Sequence, residues 1–300
     1  MPSNAPETQL SANRQGKFTS SIGNSPLVCG CSCLPVIVIA AISGLLIAIY
    51  FFSPGRTNIL LLGIDETQPG SDIGRSDTNM VITILPPGPY VGLLSIPRDL
   101  WVNIPNVGEN RINTAHFFAE AAQQGTGPAA AMRTVRDNFG VDIDHYMRIK
   151  FEGFKQVFEA MGGLEIFLSE PMAGYDAGTH QLTARKALAF ARNRSSSDDF
   201  SRMRQGQVVL KSAMKQMLSP ANWSRIPAVS VAMLKAIDSD IPIWLWPRLG
   251  FTMLRVGSGG IDSRTIDREL VIPTTTDQGA NILLPRWDMI NPIIFEMFNQ

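Results

Sequence analysis

The alternation of apolar and polar runs along the chain predicts one membrane helix followed by a mixed fold. An uncharged apolar run covers residues 34–52. At ~1.5 Å per residue its 19 residues make a helix of ~28 Å, about the thickness of a bilayer core. Shorter apolar runs at 57–64, 79–85 and 90–96 have the length of buried strands. Two prolines, a glycine and a third proline at 86–89 predict a hairpin loop between the second and third strands.

Helical spacing dominates the rest of the chain. Apolar positions, caps and stops predict helices at 114–124, 128–138, 151–161, 183–192 and 199–218, and later at 229–237, 243–256 and 288–298. Short strands are expected at 101–104, 164–168 and 269–272. Strands interspersed with helices of this length indicate an α/β (α+β-like) fold in which a mixed central sheet is sandwiched between helices.

The same pattern divides the chain into five parts. We expect a disordered cytoplasmic head at 1–33, a transmembrane helix at 34–52, a linker at 53–56, a main domain at 57–218, and a C-terminal extension at 219–300 packed on that domain. A cleaved signal peptide is the alternative for 34–52, but a polar head of about 30 residues is long for one. We expect the head inside the cell and the main domain outside.

Composition narrows the classes of function. The net charge is zero, so no global charge favours nucleic acid. Residues 185–215 do carry an excess of six positive charges, which is typical of a solvated helix face or of an anion site. All three cysteines, Cys29, Cys31 and Cys33, precede the apolar run, so the folded part needs no disulfide.

Candidate chemistry lies where the predicted strands begin and end. Asp65 closes the first strand, Arg75 and Asp77 precede the second, and Arg98 and Asp99 follow the third. Strands hold such side chains rigidly while their ends stay accessible to ligand. Carboxylates beside arginines suit a phosphate group bridged by a metal ion.

Eight short motifs follow one another along residues 57–217. They are Leu-Leu-Gly-Ile-Asp65, Arg75-Ser-Asp77-Thr, Ser-Ile-Pro-Arg98-Asp99, Arg111-Ile-Asn113, Asp144-His-Tyr146, Met161-Gly-Gly163, Ala191-Arg192-Asn-Arg194 and Asp199-Phe-Ser-Arg202. Their order resembles the LytR-CpsA-Psr family of bacterial cell-wall proteins, and the preceding apolar run is also typical of the family.

The resemblance implies a single-pass protein of the cell membrane whose catalytic domain is extracytoplasmic. It would be a phosphotransferase that moves a glycopolymer from a polyprenyl-pyrophosphate lipid onto peptidoglycan, forming a phosphodiester. The implied cofactor is Mg²⁺, with Mn²⁺ as the alternative. The implied partners are the lipid-linked polymer, the peptidoglycan acceptor and the cytoplasmic membrane, with no nucleic acid.

The resemblance also implies roles for single residues. It assigns the metal to Asp65 and Asp77, and the catalytic groups around the pyrophosphate to Arg75, Arg98, Asp99, Arg192 and Arg194. It assigns substrate binding to Arg111, Asn113, Arg202 and Gln205. We favour an orienting role for Asp99 over a general base, because an aspartate carboxylate is a weak base at neutral pH.

The chain departs from the family pattern on its last motif. The family reads Asp-x-x-Arg-x-x-Arg-Gln, whereas here Arg202 is followed by Met203, Arg204 and Gln205. One residue turns a helix by about 100°, so the sequence leaves open whether Arg204 or Gln205 fills the last basic position.

Two other classes of function compete with a transferase. One is a non-catalytic polyprenyl-lipid-binding protein, or a scaffold or regulatory protein of the cell envelope. The other is a nucleic-acid regulator, which only the basic stretch at 185–215 suggests and which would need a cytoplasmic domain.

Overall fold

The computed structural model describes residues 33–66, 73–193 and 199–299. It separates into two compact units, Met1–Ile47 and Ala48–Gln300. In the described part of the first unit the chain is the helix α1 (Cys33–Phe52), which continues into the second unit. Its stretch Pro35–Phe52 is long and apolar enough to cross a membrane, as expected. The expected head, with Cys29 and Cys31, lies outside the described residues apart from Cys33.

The described residues form twelve strands and eight further helices. The strands are β1 (Thr57–Glu66), β2 (Gly74–Leu85), β3 (Tyr90–Ile96), β4 (Trp101–Ile104), β5 (Gly108–Arg111), β6 (His145–Lys150), β7 (Leu164–Leu168), β8 (Gly178–Leu182), β9 (Ile237–Ser239), β10 (Asp262–Thr265), β11 (Val271–Thr275) and β12 (Asn281–Pro285). The helices are α2 (Thr114–Ala122), α3 (Gly127–Phe139), α4 (Phe151–Ala160), α5 (Ala184–Ala191), α6 (Asp199–Leu218), α7 (Ile226–Ala236), α8 (Trp246–Val256) and α9 (Trp287–Phe298).

Six strands form a mixed central sheet in the order β10-β3-β2-β1-β6-β9. The pairs β1–β2, β2–β3 and β6–β9 are antiparallel, whereas β1–β6 and β10–β3 are parallel. The turn at 86–89 joins β2 to β3, which confirms the predicted hairpin. The mixed sheet expected from the sequence is therefore confirmed.

Alternate residues of the central strands point into two different cores. Leu60, Leu62 and Ile64 pack in one core with residues of α3 and α9. Ile59 packs in the other core with residues of α8, and Leu210 of α6 lies against it. Because successive side chains of a strand point to opposite faces, this division places helices on both faces of the sheet.

A third core lies around the two-stranded sheet β7–β8. It buries residues of α4, α5, α6 and α7, including Phe158 and Phe190. Helix α5, which the sequence predicts at 183–192, is capped by Thr183, whose side chain accepts a hydrogen bond from the Lys186 amide.

Residues after 218 supply both edge strands of the central sheet. Strand β9 pairs with β6, and β10 pairs with β3. The β10 edge is also held by Tyr90, whose hydroxyl donates to the Asp262 carboxylate at 3.0 Å. The segment assigned to a C-terminal extension therefore completes the sheet as well as packing on it, and the domain boundary at 218 stays a prediction.

Candidate active site

The ends of the three strands β1, β2 and β3 meet on one side of the central sheet. In the antiparallel pair β1–β2, Asp65 lies opposite Arg75 in the backbone register. In the pair β2–β3, Asn79 lies opposite Ile96. Because antiparallel partners run in opposite directions, the residue two before Asn79 faces the residue two after Ile96. The register therefore brings Asp77 next to Arg98.

Asp77 occupies a β-bulge. Gly63 pairs with Thr78 and Ile64 pairs with Ser76, so Asp77 is the one residue between these pairs with no partner opposite. A bulge turns the side chain of the extra residue away from the regular alternation of the strand. The motif Arg75-Ser76-Asp77-Thr78 thus encodes a break in the strand as well as a carboxylate.

Two guanidinium groups hold the Asp77 carboxylate. Arg98 Nη1 donates to Asp77 Oδ1 at 2.9 Å, and Arg202 Nη2 lies 3.4 Å from Asp77 Oδ2. The side chains of Asp77 and Arg202 are only 15% and 13% exposed, so water weakens these interactions little. The loop after β3 and the start of α6 are therefore joined through one carboxylate.

Asp99 lies between two further guanidinium contacts. Its carboxylate is 3.5 Å from Arg98 Nε and 3.4 Å from Arg111 Nε. Arg111 also donates to the backbone carbonyl of Asn281 through Nη2 at 2.6 Å. Asp99 therefore lies within ion-pair distance of two arginines, and its orienting role stays a prediction.

Asn113 joins the strand ends through its backbone. Its N–H donates to the Arg98 carbonyl at 3.2 Å, and its carbonyl accepts from the Ser76 N–H at 3.3 Å. Within the described part of the chain, the buried Oδ1 atom of Asn113 and the buried Oε1 atom of Gln205 have no hydrogen-bond partner. Buried polar atoms without a partner are costly, and a catalytic role or a bound water or ion can account for them.

The first turns of α6 show which of Arg204 and Gln205 points toward the site. Arg202 and Gln205 are three residues apart and therefore share a face. Gln205 is 1% exposed, whereas Arg204 is exposed to solvent. Gln205, not Arg204, therefore occupies the inward position that follows Arg202. Gln207 is also buried and donates to Ser95 Oγ at 2.9 Å.

The other predicted site residues are placed less closely. The exposed Arg75 guanidinium lies 5.9 Å from the centre of the Phe117 ring. Arg192 follows the last residue of α5 and is exposed. The side chain of Asp65 and the whole of Arg194 lie outside the described residues, so their assigned roles stay predictions.

The charge balance of the described site favours an anionic ligand. Three guanidinium groups, those of Arg98, Arg111 and Arg202, contact the two carboxylates of Asp77 and Asp99. These five described side chains carry three positive and two negative charges. Guanidinium groups retain their charge at all physiological pH values and match phosphate oxygens in geometry.

The donor set also fits a hard divalent cation. Mg²⁺ takes one or two protein carboxylates and completes its shell with phosphate oxygens and water. Asp77 offers carboxylate oxygens, and the backbone of Asp65 lies on the neighbouring strand at the same sheet edge. Among the described residues no group of three or more His, Cys, Asp or Glu side chains forms a complete metal cage. A divalent cation at Asp77 would take its further oxygens from phosphate or water.

An open cavity of about 490 Å³ adjoins the site on the side of Asp99. Motif reasoning missed most of its walls, which come from the start of α6 and from the hairpin β11–β12. The lining includes Phe200, Arg268, Thr274, Thr275 and Asn281. The amide of Leu283 donates to the Asp99 carbonyl at 3.0 Å and fixes the hairpin there. No local signal links residues 271–285 to Asp99, because the contact is made only by the fold.

A buried polar network supports the start of β2. His116 is fully buried, and its Nδ1 lies 3.0 Å from the Gly74 carbonyl while its Nε2 lies 3.3 Å from Arg148 Nη1. Since arginine only donates, Nε2 must accept and Nδ1 must carry the proton. Glu120, also buried, lies 3.6 Å from Arg148. The network fixes Gly74, the residue before Arg75.

Comparison with known proteins identifies related sequences and folds. A sequence model of the LytR_cpsA_psr family matches residues 51–287. The chain is 37% identical over 190 residues to polyisoprenyl-teichoic acid–peptidoglycan teichoic acid transferase TagU of Oceanobacillus iheyensis, covering 61% of the chain and 58% of that relative. It is 26% identical over 196 residues to regulatory protein MsrR of Staphylococcus aureus strain COL, covering 63% of the chain and 57% of that relative.

The fold has a close counterpart among solved structures. The crystal structure of B. subtilis TagV superposes with a TM-score of 0.68 at 22% identity, covering 82% of this chain and 98% of that one. At this identity the likeness shows a common fold. The matches to the two curated relatives span less than three fifths of each relative's length.

Proposed function

The chain belongs to the LytR_cpsA_psr family, and from this premise we propose that it is a phosphotransferase of the bacterial cell envelope. In this proposal it moves a glycopolymer from a polyprenyl-pyrophosphate lipid onto peptidoglycan through a phosphodiester bond. The name of the TagU relative describes a transfer of the same kind. The apolar helix α1 would hold the enzyme in the cytoplasmic membrane, with the catalytic domain outside.

One observation carries the proposal. Asp77 lies in a bulge near the start of the central strand β2. Its carboxylate is held by Arg98 and Arg202, which come from two separate elements. A surface carboxylate without a function needs neither the bulge nor two partly buried arginines. An arrangement with fixed positive charge around one carboxylate is suited to gripping a diphosphate.

The reaction needs positioning and charge stabilisation. A hydroxyl of the acceptor glycan attacks the phosphorus next to the glycopolymer, and the bond from that phosphorus to the bridging oxygen breaks. The hydroxyl proton passes to solvent, and polyprenyl monophosphate leaves with the electron pair of the broken bond. Negative charge grows on the leaving phosphate, where Arg98 and Arg202 would stabilise it. Arg75, Arg192 and Arg194 would complete the pyrophosphate contacts.

Asp65 and Asp77 are the residues that would hold the divalent cation, Mg²⁺ or alternatively Mn²⁺. When bound, it would neutralise charge on the phosphate oxygens. Arg98 and Arg202 occupy the Asp77 oxygens in the described state. A cation bound to Asp77 would compete with Arg98 and Arg202 for the carboxylate oxygens. We infer that these guanidinium groups turn toward the phosphates when the substrate and the cation enter.

The cavity beside Asp99 is the proposed acceptor side of the site. Its volume of about 490 Å³ falls in the range of small-molecule sites, roughly 300–1,000 Å³. Threonine hydroxyls, an arginine and an aromatic ring in its walls are groups that bind sugars. Buried amides of Asn113 and Gln205 would find partners in the substrate.

The test is glycopolymer transfer by the Asp77→Asn variant. The purified full chain is supplied with a polyprenyl-pyrophosphate-linked glycan and peptidoglycan, and both product linkage and donor binding are measured. We expect transfer to fall on the order of 100-fold while donor binding persists, since removing one transition-state contact costs about 3 kcal/mol. Asp137→Asn changes an exposed aspartate of α3 and is the matched control. Equal transfer by Asp77→Asn and wild type would refute the role of Asp77, and no linkage product from the wild type would refute the transferase.

A regulatory or lipid-binding protein is the second candidate, because one relative is named a regulatory protein. In that case the donor would bind to the wild type and no linkage product would form at any cation concentration. The two functions therefore give opposite results in the same experiment.

A further inference from the structure

Four residues of the segment 244–255 form one stripe beside the end of α1. Trp244, Arg248, Phe251 and Arg255 are separated by four, three and four residues. This spacing places side chains on one face of a helix, and α8 covers most of the segment. Each of the four contacts the stretch 50–55, where α1 ends and the linker begins.

Hydrogen bonds fix two of these contacts. The Tyr50 hydroxyl donates to the backbone carbonyl of Trp244. The Arg248 guanidinium donates through Nη2 to the carbonyls of Ser53 at 2.7 Å and Gly55 at 2.9 Å. Both carbonyls belong to the linker that follows Phe52, so Arg248 fixes the path of the chain as it leaves α1.

Aromatic rings make the other two contacts. The Phe251 ring centre lies 4.9 Å from that of Phe51 and 6.0 Å from that of Phe52. The Arg255 guanidinium lies 4.9 Å from the centre of the Phe52 ring. The segment 244–255 is thus attached over its whole length to the last turn of α1 and to the linker that follows it.

Large apolar side chains beside this attachment are exposed to solvent. Ile243 is 76% exposed, Trp244 is 63% exposed and Leu254 is 47% exposed. Residues 241–257 contain two arginines and no acidic residue. Exposed neighbouring apolar groups of this size, with basic residues beside them, are typical of a surface that meets lipid.

We propose that Ile243 and Trp244 insert into the headgroup region of the same bilayer that α1 crosses. This inference rests on the membrane anchor of the proposed function. Tyr50 lies in the last turn of α1, at the depth where aromatic residues mark the membrane–water interface. Because the Trp244 carbonyl accepts a hydrogen bond from the Tyr50 hydroxyl, Trp244 lies at that depth too. Arg255 is exposed and donates to the Pro86 carbonyl through Nη1 at 2.7 Å, and its other N–H groups would meet the phosphates of the same leaflet. The surface holds the domain against the membrane that carries its lipid substrate.

The test uses the full chain in phosphatidylcholine–phosphatidylglycerol liposomes. Cys29, Cys31 and Cys33 are changed to serine, and an environment-sensitive fluorophore is attached at Ile243→Cys. The matched control carries it at Phe167→Cys, an aromatic position of β7 that is 64% exposed. We expect the label at 243 to be quenched by spin-labelled lipids, and iodide to quench it at least roughly twofold less than at 167, because the interface shields it from aqueous ions.

Three results would overturn the inference, and they differ from failure of the enzyme. Equal iodide quenching at both positions would show that position 243 stays in water. Shielding from both iodide and spin-labelled lipids would assign the surface to a protein partner or a second copy. A chain that does not float with the liposomes would refute both the anchor and the surface. Transfer activity of the unlabelled chain is measured separately and depends on none of these readings.

Discussion

The sharpest prediction compares two arginines on the same turn of α6. Arg202→Gln should lower the catalytic efficiency of glycopolymer transfer, whereas Arg204→Gln should leave it nearly unchanged. Both changes remove one positive charge from the same basic stretch. The two side chains differ in the direction in which they point: Arg202 contacts Asp77, whereas Arg204 is exposed to solvent.

The magnitude follows from the geometry around Asp77. Arg202 Nη2 lies 3.4 Å from the carboxylate, and its side chain is 13% exposed. At an effective dielectric constant of about 20, a guanidinium charge and a phosphate charge at such a distance would interact with roughly 4–5 kcal/mol. Arg98 would contact the same diphosphate, so part of this energy survives the substitution. We therefore expect a loss of about 3 kcal/mol, or on the order of 100-fold in kcat/KM.

The assay is transfer of a radiolabelled lipid-linked glycan to peptidoglycan, with kcat/KM measured for both variants and the wild type. Thermal unfolding checks that each variant is folded. Equal losses in the two variants would show that α6 acts through its overall basic charge. No loss in Arg202→Gln would remove this arginine from the site and contradict the reasoning from its contact with Asp77.

Three further predictions concern the stability of the folded chain. Gly63→Ala places a Cβ 2.9 Å from Thr78 Cβ beside the bulge, so the free energy of unfolding should fall by about 1–3 kcal/mol in denaturant titration. Thr183→Ala removes a helix cap and should lower stability by about 1 kcal/mol, seen by calorimetry as a Tm lower by roughly 2–4 °C; an unchanged Tm would exclude the cap. Burial, together with a hydrogen bond to Asp262, raises the pKa of Tyr90 from 10.0 to about 12. The folded state then keeps a proton that the unfolded chain loses, so stability should fall between about pH 10 and 12 and fall less in Tyr90→Phe; equal curves would contradict this.

Local pattern predicted the fold class and most elements well. The apolar runs before Pro86 and after Pro89 became the hairpin β2–β3, because each run is buried on both faces. The strand expected at 269–272 begins only at Val271, after a short 3-10 turn. Strand β6 was not predicted, since His145 to Lys150 lacks a continuous apolar run. Its pairing with β1 comes from the tertiary fold.

The site was predictable only as far as strand ends could be located. Motif order placed Asp77 and Arg98 at such ends, and the register brings them together. The inward position of Gln205 depends on the rotation of α6 against the sheet, which the sequence does not determine. The contact of Arg111 with the carbonyl of Asn281 joins residues far apart along the chain, so no spacing rule could find it.

The short strands β9 and β10 protect the central sheet from association with other chains. An uncovered strand offers a row of unpaired N–H and carbonyl groups to any neighbour, and short outer strands limit that row. A chain ended at residue 218 would lose both strands and leave β3 and β6 as the margins. Such a truncated chain should precipitate or form sheet-linked oligomers, so we expect residues 219–300 to be needed for solubility even where they take no part in chemistry.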